Sequence, residues 1–299
     1  MDNYLGEIAA LGTAVCWSIG PTLFTVAGRH IGSAVVNRIR LAIAVLFLLM
    51  AHFLLQGEFL PIHTELFRWK LLGLSGIIGL AVGDSFLFQA FVLIGPQLSM
   101  LLMSFAPIIT AFISWIFLNE TLNLMKIVAI ILTISGIILV ILRKKELKTP
   151  VDRKHYIIGI LCGIGGAVGQ AVGLIIAKKG LAGSFSGLSA TLIRVSVATV
   201  VIWLFTAFSG KIKYTFNKLQ DKKITLTIIL GSFTGPFLGI WLSMVAIKYT
   251  YIGIASTLMA LPPIFLLPIS HWVFKEEITL QSIIGTIVAA AGTAIIFLT

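Results

Sequence analysis

Hydrophobic runs of about twenty residues, the length that crosses a bilayer as a helix, recur along the whole chain. Of the 299 residues, 58% are hydrophobic and 11% are charged, whereas soluble domains carry about 25% charged residues. A water-soluble protein of this length could not bury so much apolar surface. The runs lack the alternating pattern of outer-membrane strands, so we expect helices, whose backbone hydrogen bonds close within each segment. The sequence therefore predicts an all-α, polytopic membrane protein.

The lengths of these runs predict ten transmembrane helices, which we name spans 1 to 10. They lie near residues 4–27, 33–55, 68–93, 96–118, 123–142, 156–177, 184–208, 224–248, 250–274 and 278–298. The first residues lack a basic stretch followed by a small-residue cleavage site, so we interpret them as the beginning of span 1 and not as a signal peptide. An even number of spans places both termini on the same side of the membrane.

An internal repeat relates the two halves of the chain. At an offset of 156 residues the halves align prolines, glutamates and glycines: Pro107 with Pro263, Glu120 with Glu276, Gly79 with Gly235, and Gly83 with Gly239. The predicted domains are a first five-helix repeat (1–142), a basic linker (143–155) and a second five-helix repeat (156–299). Because five is odd, the second repeat enters the membrane from the opposite side. Such inverted repeats, with a site at the bilayer midplane between them, are a recurrent plan of secondary transporters.

Five segments of the chain carry a likeness to a known family. They are RIRLAIA (38–44), GDSFLFQAF (83–91), SFAPIITAFISWIFLNETL (104–122), ISGIILVIL (134–142) and LMALPPIFLLPISHWVFKEEI (258–278). In these segments the chain resembles the ten-helix EamA-like family of the drug/metabolite transporter superfamily. The resemblance implies a central cavity lined mainly by helices 1, 3, 4, 6, 8 and 9, a small-metabolite substrate, and cytoplasmic termini.

The function expected is that of a secondary transporter that exports a small metabolite, amino-acid-like or amine-like, across the plasma membrane by alternating access. Proton coupling and the oligomeric state stay open. One alternative is a non-transporting membrane scaffold or sensor. The other is a membrane-embedded enzyme, which would need converging nucleophilic, acid–base or metal-binding groups. The five histidines are scattered and HExxH does not occur, so we expect neither an enzyme nor a metal or other cofactor.

Asp84 is the only ionisable side chain between Lys70 and Glu120. It lies about 14 Å from the end of its span at ~1.5 Å per residue, close to the midplane of a bilayer core ~30 Å thick. Such an acid normally faces a cavity or a partner. It either contacts an amino-bearing substrate or a proton, or it braces the fold by pairing with Arg40 or Arg194. If Asp84 is paired, the reason for expecting an amine disappears.

Other residues are weaker candidates for the substrate site. Trp17 and Gln170 occupy matched positions in spans 1 and 6, and Trp241 follows the residue matched to Asp84. Aromatic walls with a few polar groups are typical of small-molecule pockets. Met103 and Met259 are flexible enough to line an adaptable pocket, although filling of the apolar core is the alternative.

Small residues and prolines suggest how the spans pack and bend. Glycines spaced by four let helices approach closely in lipid, and we expect this role for Gly79, Gly83, Gly165, Gly169, Gly173, Gly235 and Gly239. Pro107 and Pro263 each remove a backbone hydrogen bond. They predict either fixed kinks or hinges of the alternating motion.

Lysine and arginine are distributed unequally between the two sides of the membrane. Loops on the side opposite the termini hold 13 of these residues and loops on the terminal side hold six. The positive-inside rule therefore predicts external termini, whereas the resemblance implies cytoplasmic ones, which we retain as the expectation. The net charge of +11 comes largely from such loops, which favours contact with the lipid bilayer over nucleic acid.

Overall fold

The computed structural model describes residues 4–117, 123–146, 153–183, 185–249 and 252–298. The described residues contain no strand and include ten helical segments long and apolar enough to cross a membrane. The predicted all-α class with ten spans is therefore confirmed. Glu120, to which the repeat gave a partner in Glu276, lies outside the described residues.

Six spans are single helices and four are composite. The single helices are Leu5–Ile31 (span 1), Ser33–Gln56 (span 2), Leu124–Glu146 (span 5), Arg153–Gly180 (span 6), Gly187–Phe208 (span 7) and Leu280–Leu298 (span 10). Spans 3 and 8 each contain a π-helical turn between two α-helices. Span 3 consists of Leu66–Gly76, the π-helical turn Ile77–Gly83 and Asp84–Ile94. Span 8 consists of Lys222–Ser232, the π-helical turn Phe233–Gly239 and Ile240–Tyr249. Spans 4 and 9 are each broken into two helices: Pro96–Leu102 with Phe105–Phe117, and Ile252–Met259 with Pro262–Phe274. Between spans 7 and 8 lie a short helix, Ile212–Asn217, and a 3₁₀ turn, Lys218–Gln220.

These irregularities follow the internal repeat. The π-helical segments Ile77–Gly83 and Phe233–Gly239 begin and end at the same offset of 156 residues that aligns the sequences of the two halves. The breaks in spans 4 and 9 also occupy corresponding positions. Pro107 and Pro263 lie in the first turn of the helix after each break, where a missing N–H is tolerated. The bend expected at these prolines thus takes the form of a broken span, and a hinge stays a prediction.

The spans pack across the two halves in a reciprocal manner. Span 3 packs against span 6, and span 8 packs against span 1, so the third helix of each half contacts the first helix of the other. Spans 5 and 10 pack together at the ends of the two halves. The Arg68 guanidinium at the start of span 3 donates to the carbonyls of Gly180, the last residue of span 6, and Ala182, just beyond it. These two ends therefore lie on the same side, as the alternating direction of the spans requires.

Glycines allow the closest of these contacts. A Cβ added at Gly169 would lie 2.6 Å from the Cα of Gly83, and one at Gly173 would lie 3.1 Å from the Cα of Gly79. The backbones of spans 3 and 6 approach so closely that neither position has room for a methyl group. The remaining predicted packing glycines have looser or side-chain neighbours: Gly165 faces Phe86, Gly235 faces Phe24 and Gly20, and Gly239 faces Trp17.

One end of the helical bundle is filled by apolar side chains. The cluster comprises Phe24, Ala27, Ile31, Val35, Val36, Ile39, Leu87, Phe88, Phe91, Ile224 and Ile228, all buried. These residues come from the halves of spans 1, 2, 3 and 8 that lie away from the chain termini. At the same end the Arg29 guanidinium lies 4.6 Å from the centre of the Phe274 ring. We name this the closed end.

Candidate functional site

A cavity of about 420 Å³ lies between the two halves. Eight spans line it, because spans 2 and 7 contribute in addition to the six that the family resemblance implied. Its polar and charged lining residues are Thr13, Arg40, Asp84, Gln170, Thr191, Arg194 and Ser243. The lining residues of spans 6, 7 and 8 lie towards the end that carries the chain termini. The cavity therefore extends towards the terminal end from the closed-end cluster, whose Phe24, Leu87, Phe88 and Phe91 also line it.

Asp84 forms an ion pair with Arg40 on span 2. Both side chains are buried, with 8% and 4% of their surface exposed. The Arg40 Nε also donates to Asn37 Oδ1 at 3.0 Å, and Asn37 Nδ2 donates to Ser85 Oγ at 3.1 Å. The guanidinium carbon lies 4.5 Å from the centre of the Phe88 ring. Asp84 thus joins a buried network between spans 2 and 3, the arrangement that the sequence offered as a structural brace.

Arg194 on span 7 contributes a second guanidinium to the cavity. Its Nε is buried and has no hydrogen-bond partner among the described residues. Asp84 interacts with it electrostatically, but the Asp84 carboxylate is already hydrogen-bonded to Arg40. The charged residues among the described lining are therefore two arginines and one aspartate.

Gln170 on span 6 faces Arg194 across a glycine of span 3. A Cβ added at Gly79 would lie 3.2 Å from Gln170 Oε1 and 3.6 Å from an Arg194 terminal nitrogen. The Gln170 Oε1 atom is buried and also lacks a hydrogen-bond partner among the described residues. The side chains of Gln170 and Arg194 therefore both lie close to Gly79, where a larger residue would meet them.

The structure brings most of the sequence candidates to this cavity. Trp17, Asp84, Met103, Gln170 and Met259 line it. Met103 and Met259 also line a smaller adjoining cavity of about 240 Å³, together with Pro107 and Pro263. The methionines and prolines of the broken spans 4 and 9 therefore meet at one place.

Trp241 lies elsewhere. It lines a separate cavity of about 440 Å³ with Leu48, Gln56 and Tyr249, and 45% of its surface is exposed. Ile240, the residue matched to Asp84, contributes to both this cavity and the central one. Because neighbouring residues on a helix point about 100° apart, the central cavity receives Ile240 and not Trp241.

Sequence reasoning considered Arg40 and Arg194 only as partners of Asp84, and it did not select Thr191 or Ser243. The signal available for the arginines was their alignment in the repeat, one in the second span of each half. Among the described residues, no group of three or more His, Cys, Asp or Glu side chains could hold a metal ion.

Comparisons with known proteins agree with this architecture. The sequence model of the EamA-like transporter family matches residues 4–142 and 157–298. A protein of known crystal structure matches with a TM-score of 0.62, covering 97% of this chain and 95% of that chain at 14% sequence identity. At that identity the likeness concerns the fold alone. None of the curated proteins compared with the chain matches it.

Proposed function

The chain belongs to the EamA-like transporter family, and from that premise we propose that it is a secondary transporter that exports a small amino-acid-like metabolite by alternating access. Transport of small molecules across a membrane follows from family membership. The substrate class, the direction, the plasma-membrane location and the mechanism are our proposal.

The observation that carries the proposal is a cavity between the repeats, with a buried apolar cluster at the end away from the chain termini. Both halves supply its lining, and its volume of about 420 Å³ lies in the range of small-molecule pockets, roughly 300–1,000 Å³. The apolar cluster at the closed end borders the cavity, and we propose that it blocks access from that side. Rocking of one repeat against the other would open this end and close the terminal end.

The irregular helices supply the places where such motion is least restrained. Spans 3 and 8 carry π-helical turns and spans 4 and 9 are broken, at corresponding positions of the two halves. The π-helical turns replace the regular α-helical hydrogen bonds with longer-range ones, and the breaks in spans 4 and 9 interrupt them. We propose that Pro107 and Pro263 serve as hinges there, and that both termini lie in the cytoplasm. The structure would then correspond to the state that loads substrate for export.

The pairing of Asp84 with Arg40 bears on the substrate. An amine was expected only for an ionised Asp84 free to contact it. With that carboxylate engaged by Arg40, we retain an amino-acid-like substrate and no longer favour a simple amine. Trp17, Gln170, Met103 and Met259, which line the cavity, are the residues we assign to substrate contact.

Counterflow in proteoliposomes tests the proposal without requiring an ion gradient. Vesicles containing the purified protein are loaded with unlabelled amino acids, and entry of each labelled amino acid is measured. Ser243→Trp places a large ring in the cavity, which Ser243 lines. Leu46→Trp adds the same ring at a position that is 64% exposed on the outer surface.

We expect counterflow with the wild type and Leu46→Trp, and strongly reduced counterflow with Ser243→Trp. If the wild type exchanges no member of the panel, the proposed substrate class is wrong. Equal activity of the two tryptophan variants would mean that the cavity is not the route.

A further inference from the structure

Three charged side chains among the described residues line the central cavity, and their charges do not cancel. Arg40 and Asp84 form a buried ion pair, and Arg194 lines the same cavity. Two cations and one anion leave one positive charge in excess. The excess charge belongs to Arg194, because the Asp84 carboxylate accepts its hydrogen bond from Arg40.

Two polar atoms near this charge lack partners. The Nε of Arg194 and the Oε1 of Gln170 are buried without a hydrogen-bond partner among the described residues. Both side chains approach the backbone of Gly79. Buried donors and acceptors that stay unpaired are costly, and most of them have a partner in folded proteins. An unpaired donor and an unpaired acceptor thus belong to two side chains that line the cavity.

We propose that Arg194 binds the carboxylate of the transported substrate and that Gln170 Oε1 accepts a hydrogen bond from the same molecule. This inference rests on the proposed function and adds the residues that would recognise the carboxylate of an amino acid or a related metabolite. A guanidinium presents parallel N–H donors that match the two oxygens of a carboxylate. The Gln170 oxygen then receives an ammonium or hydroxyl proton of the substrate.

The rest of the cavity fits the remainder of such a molecule. Trp17 supplies an aromatic wall, and Met103 and Met259 supply flexible apolar surface. Binding sites for small molecules typically combine an apolar lining with a few fixed polar groups. The polar end of the substrate would lie at Arg194 and its apolar end between Trp17 and the methionines.

Fluorescence quenching tests the anion site without a known substrate. The emission of Trp17, obtained as the difference between wild type and Trp17→Phe, is quenched with iodide and, separately, with neutral acrylamide. Arg194→Gln removes the excess charge. Arg38→Gln is the matched control, because Arg38 is also buried in a span but donates to Thr215.

We expect Arg194→Gln to weaken iodide quenching several-fold and to leave acrylamide quenching unchanged, while Arg38→Gln retains both. Equal iodide quenching in wild type and Arg194→Gln would overturn the proposal, because Arg194 would then not attract anions into the cavity. This measurement is independent of transport, so it decides the role of Arg194 even if counterflow fails.

Competition in counterflow tests the substrate class. Phenylalanine, 3-phenylpropionate, phenylalaninamide, phenethylamine and phenyl phosphate share one ring and differ in their charged groups. We expect the two carboxylates to compete with the transported amino acid, and Arg194→Gln to weaken that competition by about ten-fold or more, the loss typical of a charged hydrogen bond. Stronger competition by the amide, the amine or the phosphate would contradict a carboxylate site. Failure of all counterflow would instead reject the proposed function.

Discussion

Replacing Asp84 with asparagine would remove the carboxylate that interacts with both arginines of the cavity. Asp84 interacts electrostatically with both Arg40 and Arg194, and it is ion-paired with Arg40 in a buried position. Removal of one partner from a buried ion pair costs about 3–5 kcal/mol, since the other charge is left uncompensated. We expect Asp84→Asn to lie in this range, because two like charges would then share the cavity wall.

Replacing Arg40 with glutamine should cost less. The Asp84 carboxylate would keep Arg194 as a nearby cation, and the cation–π contact with Phe88 contributes about 1 kcal/mol. The double variant Asp84→Asn/Arg40→Gln should be more stable than Asp84→Asn alone, since the second substitution removes one of the two uncompensated charges. The expected coupling is about 1–3 kcal/mol, as in other directly interacting pairs.

Reversible unfolding in mixed detergent micelles, followed by helical circular dichroism, gives the three free energies of unfolding. The reasoning fails if Arg40→Gln is at least as destabilising as Asp84→Asn. It also fails if the double variant loses the sum of the two single losses, because the charges would then act independently. The stabilisation of Asp84→Asn by added ligands is a further check. If Asp84 is a structural brace, ligands should stabilise this variant as much as they stabilise the wild type.

Two further substitutions address packing and the closed end. Gly169→Ala should lower the free energy of unfolding by about 1–3 kcal/mol, as expected for overpacking. Gly165→Ala should stay near wild type, because the added methyl group meets only the Phe86 side chain at ordinary contact distance. Similar losses in both variants would argue against close backbone contact at Gly169. Arg29→Gln removes the contact with Phe274 and should raise labelling of a cavity cysteine from the closed end by about two- to five-fold. Lys213→Gln, an exposed cation of the same side, serves as the control, and equal labelling in these two variants would mean that Arg29 does not hold that end closed.

The spans and the repeat could be predicted from the sequence because lipid imposes strong local constraints. A helix must be about twenty apolar residues long to cross the bilayer, and that length is directly visible in each run. The repeat followed from aligned prolines and glycines. The bounds of the helices, by contrast, changed where the backbone is irregular, since prolines predict a distortion but do not distinguish a bend from the broken spans 4 and 9.

The candidate site was less predictable because its contacts join distant parts of the chain. Trp17 and Gln170 were identified from matched positions on helices whose small residues already suggested packing. The partner of Asp84 could not be chosen between Arg40 and Arg194, because spacing along the sequence says nothing about distances between spans. Trp241 lines a different cavity, whereas its neighbour Ile240, which corresponds to Asp84, contributes to the central one.

Alternating access is the central claim, and labelling of one cavity cysteine from each side of the membrane tests it most directly. Ser243→Cys, in a background where Cys16 and Cys162 are serine, is exposed to an impermeant thiol reagent in right-side-out and in inside-out vesicles. The account predicts labelling of this cysteine from both sides. A trapped substrate should raise the labelling from one side and lower the labelling from the other by a matching amount. Labelling from a single side under every condition, or full labelling from both sides at once, would contradict it.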